Sequence, residues 1–446
     1  MDIFKSYDIR GIFPNEINEY VTQRIGTAFA KFLTDNNHNA KNIVVGRDMR
    51  SSSRSLANAL IDGIKSLGLN VIDVGLVSTE MTYFAVGFYN FDASIMVTAS
   101  HNPAKYNGFK LCREKAIPIG AETGLSDIAQ ITTRVLPGMT GQTGRVKSKD
   151  IYIDYKKFVL SFLNKQLKPL KIVVDAGNGM AGKVIAAIFN SIPCEIIPLY
   201  FELDGSFPNH DANPLDHRTL VDLRKTVIKK RADFGVAFDG DADRCVFIDE
   251  TGNIVTSDIT TIIIAKKFLM NSKDQKVIYD LRLSKAVAEE INASGGIPIR
   301  EKVGHSHIKA RMRAENAVFA GELSGHFYYK DNFFADSAMI TLINMINILS
   351  TANQSMSKLI APFKKYVASG EINFEVDNKD DKIKQLAEGF PNGQIDYLDG
   401  ITVQHSDWWF NVRKSNTEPL LRLNLEAKTK KVFDSVIKAV TDIIKM

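Results

Sequence analysis

Cysteine is scarce in this chain: Cys112, Cys194 and Cys245 stand far apart and are odd in number. That spacing excludes a disulfide framework and any CxxC metal or redox motif, and it fits a reducing cytoplasm. Long apolar runs are missing too. None approaches a membrane span, and Met1 to Gly11 carries Asp2, Lys5, Asp8 and Arg10 where an export signal needs an apolar stretch. No long basic stripe occurs either. The 56 Lys and Arg against 51 Asp and Glu leave a scattered net charge of +5, which does not imply nucleic acid and suits an anionic small substrate.

What is present is enough apolar sequence for several cores. A chain of 446 residues, 45% hydrophobic and 24% charged, exceeds what one core supports, so three or four domains are expected. From Asn42 to Val97 strand patterns at Asn42 to Val45, Asn70 to Val74 and Ala93 to Val97 alternate with an amphipathic helix at Arg54 to Leu67. A Gly/Thr-rich stretch, Leu136 to Gly144, separates this unit from a helix at Ile151 to Leu163. A second α/β unit opens at Lys171 with a strand and a glycine-rich turn, Ala176 to Gly182, a weak phosphate-loop signal. A third starts near Glu250 and runs through a helix at Ser337 to Leu349. The tail differs: a strand at Glu371 to Val376, a helix near Asp381 to Phe390, strands between Gly400 and Asn424 and a helix at Val432 to Ile444 read as a small α+β lobe. The expected units are 1–145, 146–249, 250–362 and 363–446, the first three being a divergent structural repeat.

Four loops carry reactive groups. In Thr98-Ala99-Ser100-His101-Asn102-Pro103 a hydroxyl follows the apolar run Ala93 to Val97, and it can carry or attack a phosphoryl group with His101, Asn102 and Lys110 as donors. Ser, Asn and Pro are also ordinary turn residues, so local composition does not separate site from turn. Asp239-Gly240-Asp241-Ala242-Asp243-Arg244 sets three carboxylates at alternate positions between two apolar runs. At about 4 Å each pair repels by roughly 4 kcal/mol at an effective dielectric of 20, so a converged trio needs a cation; hard oxygen ligands favour Mg²⁺. A solvated acidic turn is the bland reading. An EF-hand is excluded, because Arg244 stands where that loop needs glycine and the flanks read as strands.

Gly321-Glu322-Leu323-Ser324-Gly325-His326 offers carboxylate, hydroxyl and imidazole on a glycine-bounded loop, a set suited to vicinal sugar hydroxyls. Arg413-Lys414-Ser415-Asn416-Thr417-Glu418-Pro419, with Arg422 beyond, gathers the donors of a phosphate clamp.

Together, and in this order, the four loops resemble the α-D-phosphohexomutase family, most closely its bacterial phosphomannomutase/phosphoglucomutase branch. Tyr7-Asp8-Ile9-Arg10-Gly11, Gly46-Arg47-Asp48, Tyr106 to Lys110, Asp204 to His210 and Gly304-His305-Ser306 extend the resemblance over nearly the whole chain. It implies four domains around a central cleft, three related mixed-sheet α/β domains and a C-terminal α+β lobe. The implied reaction moves phosphate between C1 and C6 of a hexose, mannose or glucose, through phosphorylated Ser100 and a hexose 1,6-bisphosphate that also serves as activator. One Mg²⁺ would sit on Asp239, Asp241, Asp243 and Ser100, assisted by Arg244. Arg10, Lys110, His305 and His326 would line the reaction centre, with Lys110 and His326 as proton carriers. Lys110, beside so much negative charge, is expected to be raised in pKa, and His326 to titrate nearer neutral. Tyr7, Glu322 and Ser324 would contact sugar; Arg413, Ser415, Asn416, Thr417 and Arg422 would hold the distal phosphate.

Arg282 departs from the lysine of many relatives and is held as a substrate contact, while Leu323 resembles the mannose/glucose branch. Phosphoglucosamine mutase is the nearest rival and a sugar phosphatase the second. A cytoplasmic monomer or weak dimer acting on hexose phosphates, without nucleic acid or membrane, is the expectation.

Overall fold

The computed structural model describes residues 2–36, 39–136, 143–270, 272–415 and 420–445. Its strands form four sheets. In the first, Ala93–Val97, Asn42–Arg47 and Asn70–Leu76 run parallel, and Tyr106–Arg113 and Ile9–Ile12 extend the sheet antiparallel from Ala93–Val97. In the second, Glu195–Leu199, Lys171–Asp175 and Phe234–Phe238 are parallel, and Cys245–Asp249 and Ile254–Val255 continue antiparallel. In the third, Ile297–Glu301, Lys276–Asp280 and Phe319–Gly321 are parallel, followed by antiparallel Phe327–Tyr329 and Ala335–Asp336. The fourth is wholly antiparallel and packs helices Lys379–Gly389 and Lys430–Lys445 over its own core of Leu386, Phe410, Leu423 and Val440.

The first three sheets thus share one plan, and in each a reactive loop falls where a parallel strand turns into an antiparallel hairpin. Ser100 lies between Ala93–Val97 and Tyr106–Arg113, the aspartates between Phe234–Phe238 and Cys245–Asp249, and Glu322 to His326 between Phe319–Gly321 and Phe327–Tyr329. The apolar runs that flank these loops are buried on both faces, as parallel strands covered by helices require. One apolar cluster passes through all three units, joining Phe84, Tyr155, Phe238 and Met339, so the loops are held on a common core.

Two expected boundaries shift. Val146–Ser148 pairs in parallel with Asn70–Leu76, so the first sheet runs past residue 145; this exposed three-residue strand has no apolar pattern to announce it. Ile254–Val255 pairs with Cys245–Asp249, so the second sheet runs past residue 249. A further helix, Thr79–Tyr89, fills the interval between Asn70–Leu76 and Ala93–Val97; apolar around most of its circumference, it lacks the amphipathic signature. Among the described residues no helix is long and apolar enough to cross a membrane.

Candidate active site

Ser100 is wholly buried and held at φ 51°, a left-handed conformation that aims its hydroxyl out of the loop. The hydroxyl donates to Asp239 Oδ2 at 2.7 Å, and Arg50 ties down the loop behind it. Arg50, itself paired with Asp48 at 3.2 Å, donates to the carbonyls of Ser100, Asn102, Pro103 and Tyr106. Gly240 lets the aspartate loop approach, since a Cβ there would lie 2.6 Å from the Ser100 carbonyl oxygen. The glycine-rich turn supports this loop from below: the Met180 amide donates to the Gly240 carbonyl at 2.9 Å. That turn packs against the aspartate loop.

Asp239, Asp241 and Asp243 converge, all buried, with a ligand oxygen of each within 4.8 Å of the others. Lys110 Nζ reaches Asp241 Oδ2 at 2.7 Å and also pairs with Asp243, while Thr79 donates its hydroxyl to Asp241. Arg244 Nε stands 3.5 Å from Asp239. Even so, Asp241 Oδ1 is buried without a hydrogen-bond partner, and Asp243 Oδ1 faces only Arg244 Nε at 4.0 Å and His326 Nε2 at 3.4 Å. Burial and the neighbouring Asp241 and Asp243 charges push Asp239 up. Three converged carboxylates, one with an unpartnered buried oxygen, fit a divalent cation better than they fit a closed ion-pair network. Burial opposes the charge of Lys110, but the three aspartates outweigh it and raise the lysine, as expected.

His326 joins this centre to the sugar loop. Its Nδ1 lies 2.9 Å from Ser324 Oγ and 3.3 Å from Glu322 Oε2, and its Nε2 lies 3.2 Å from Arg244 Nε and 3.4 Å from Asp243 Oδ1. Each protonation state of Nε2 therefore has a partner: neutral, it accepts from Arg244; protonated, it donates to Asp243. Burial and Arg244 lower the imidazole, yet Asp243 and Glu322 prevail and push it up to about 9, away from the neutral titration expected of it. Glu322 also accepts from Tyr328 Oη at 2.7 Å. His305 is partly buried and shifted the opposite way by desolvation and Lys309, its ring 6.5 Å from that of His326 and 5.6 Å from that of Tyr7. Arg10 is clamped by Asp8 at 2.8 Å and donates to Asn102 at 2.6 Å.

The arginines farther out meet on a residue that sequence reasoning missed. Glu371 lies 3.5 Å from Arg282, 3.1 Å from Arg413 and 3.1 Å from Arg422. Arg282 pairs with Asp280 and reaches Glu322 at 3.5 Å, so a continuous charged chain runs from His326 to Arg413. Arg413 sits within strand Trp408–Lys414, directly opposite Arg422 of Leu420–Ala427, rather than on the loop between them. Ser415 binds Leu420 through its backbone amide at 2.9 Å; Asn416 and Thr417 lie outside the described residues. Beside this chain a cavity of about 470 Å³ opens between the first, third and fourth units, lined by Tyr7, Gly120, Lys302, Ser306, His307 and Asp399.

Known proteins share this arrangement. Models of phosphoglucomutase/phosphomannomutase alpha/beta/alpha domains I, II and III match residues 1–136, 150–252 and 256–366, and that of the C-terminal domain matches 371–443. The chain is 39% identical to a phosphomannomutase of Vibrio cholerae over 99% of its own length and 98% of that protein's. It is 39% identical to a phosphomannomutase of Escherichia coli K12, covering 95% and 94%. A crystal structure of a phosphoglucomutase/phosphomannomutase family protein from Burkholderia thailandensis superposes with a TM-score of 0.92 at 31% identity, covering 100% and 97%. The chain belongs to the phosphoglucomutase/phosphomannomutase family. It is a phosphohexomutase, an isomerase of carbohydrate metabolism.

Proposed function

We propose that the enzyme moves phosphate between C1 and C6 of mannose or glucose phosphates, with Ser100 as the phosphoryl carrier and a hexose 1,6-bisphosphate as intermediate and activator. The observation that supports this reading best is the buried Ser100 hydroxyl bonded at 2.7 Å to an aspartate of the converged trio. Asp239, Asp241 and Asp243, with a phosphate oxygen on Ser100, would hold Mg²⁺, which when bound offsets the charge of about −2 on phosphoserine.

The substrate's distal phosphate binds Arg413, Ser415, Asn416 and Thr417, and its hydroxyls lie against Glu322 and Ser324. Lys110 and His326 are the proton carriers for the sugar hydroxyl, and Nε2 of His326 has a partner in either of its states. The Ser100–phosphorus bond breaks as the sugar oxygen–phosphorus bond forms. Lys110 and Arg244 balance the charge on the departing Ser100 oxygen, and Arg10 steadies the loop through Asn102. The bisphosphate then turns over in the cleft, and the reverse transfer restores Ser100. Rates on mannose 1-phosphate, glucose 1-phosphate and glucosamine phosphates test substrate class: mannose and glucose phosphates should lead, and a preference for the amino sugar would overturn that part of the reading.

A further inference from the structure

Lys309 lies on helix His305–Glu315, one turn beyond His305, and is 0% exposed. Its ammonium meets one carboxylate, Asp336 Oδ1 at 2.7 Å, and the rings of Tyr83 at 4.0 Å and Tyr328 at 5.9 Å. No directed hydrogen bond satisfies it. Tyr83 belongs to the first unit, whereas Lys309, Tyr328 and Asp336 belong to the third. Asp336 pairs in register with Tyr328, and its other oxygen stands 3.9 Å from His326 Nε2. The same helix is pinned to the first unit by Arg313, which donates to the carbonyls of Lys115 and Ala116.

An ion pair this deep is a poor source of stability, because desolvating both charges consumes most of their attraction and an apolar residue of equal length packs as well. What it does supply is direction. A charge has one place to go, and here that place joins the helix bearing His305 to the hairpin that follows His326.

We propose that Lys309 and Asp336, capped by the ring of Tyr83, are positioning residues for the transfer centre: their pairing sets His305 and His326 against the loops of Ser100 and Asp243. This inference rests on the reading of His326 as proton carrier, and the test separates the two.

The steady-state kcat and KM for hexose phosphate isomerisation and the thermal midpoint are measured on His326→Ala, Lys309→Met, Asp336→Asn and the double variant Lys309→Met/Asp336→Asn. Each single change should lower kcat roughly 10–100-fold with KM within about threefold. The double variant buries no lone charge, so its midpoint should return toward wild type while kcat stays low. Recovery of kcat along with stability, or singles of undiminished kcat while His326→Ala is inactive, would overturn the positioning role alone. Wild-type turnover in His326→Ala would remove the proton-carrier reading and this inference with it. Should a single variant not fold, the double variant still decides between the outcomes.

Discussion

A Cβ at Gly240 would lie 2.6 Å from the carbonyl oxygen of Ser100, so the loop that offers three carboxylates touches the loop that offers the hydroxyl, backbone to backbone. No side chain can yield to relieve that contact. Gly240→Ala should separate the loops, lowering kcat at least 100-fold while costing about 1–3 kcal/mol of stability, read by kinetics and denaturant unfolding. Near-normal turnover would show that the Ser100 to Asp239 contact does not need this approach.

Glu371 is the common counter-ion of Arg282, Arg413 and Arg422. Burial would raise its carboxyl, but the three guanidinium groups hold it below the ordinary range. Glu371→Gln leaves those groups to repel one another and to swing out of their present positions. KM for hexose phosphate should rise about tenfold, ~1.4 kcal/mol, with kcat changed only a few-fold. A lower KM would mean that the carboxylate competes with substrate phosphate.

Glu80 gives a pH dependence unrelated to turnover. Its side chain is buried on helix Thr79–Tyr89, neither oxygen has a hydrogen-bond partner of good geometry, and burial pushes it up to about 8 despite the nearby Ser337 and Tyr155 hydroxyls. A folded-state pKa above the unfolded one means that the folded state holds the proton more tightly. Stability is therefore full below about pH 4.5 and falls as pH rises toward 8, by on the order of a few kcal/mol. Unfolding followed from pH 5 to 8 should show this slope in wild type and a flatter one in Glu80→Gln, the variant being the more stable at pH 8. Parallel slopes would contradict the assignment.

The four reactive loops were legible because each is short and contiguous, with its chemistry packed into six or seven residues between apolar runs. Three carboxylates at alternate positions have few structural uses, and the converged trio follows from their spacing. The residues that hold the loops were not legible. Arg50 serves carbonyls about 50 residues away, Glu371 gathers arginines from two units, and Lys309 on a helix pairs with Asp336 on a strand. Nothing in their local sequence marks them, because their partners are set by tertiary packing. Arg413 was misplaced for a related reason: it lies at the end of a strand in the fourth sheet, opposite Arg422, where local sequence does not separate strand from turn. His326 was expected near neutrality because sequence shows neither Asp243 nor Glu322 at its two nitrogens.

The central claim is that Ser100 carries the phosphoryl group, and intact-mass measurement of the full chain tests it most directly. After incubation with a hexose 1,6-bisphosphate, wild type should gain the mass of one phosphoryl group and lose it on incubation with hexose monophosphate, whereas Ser100→Ala should gain nothing and isomerise at least 1,000-fold more slowly. A Ser100→Ala protein that still takes up the phosphoryl group, or still isomerises at the wild-type rate, would contradict it.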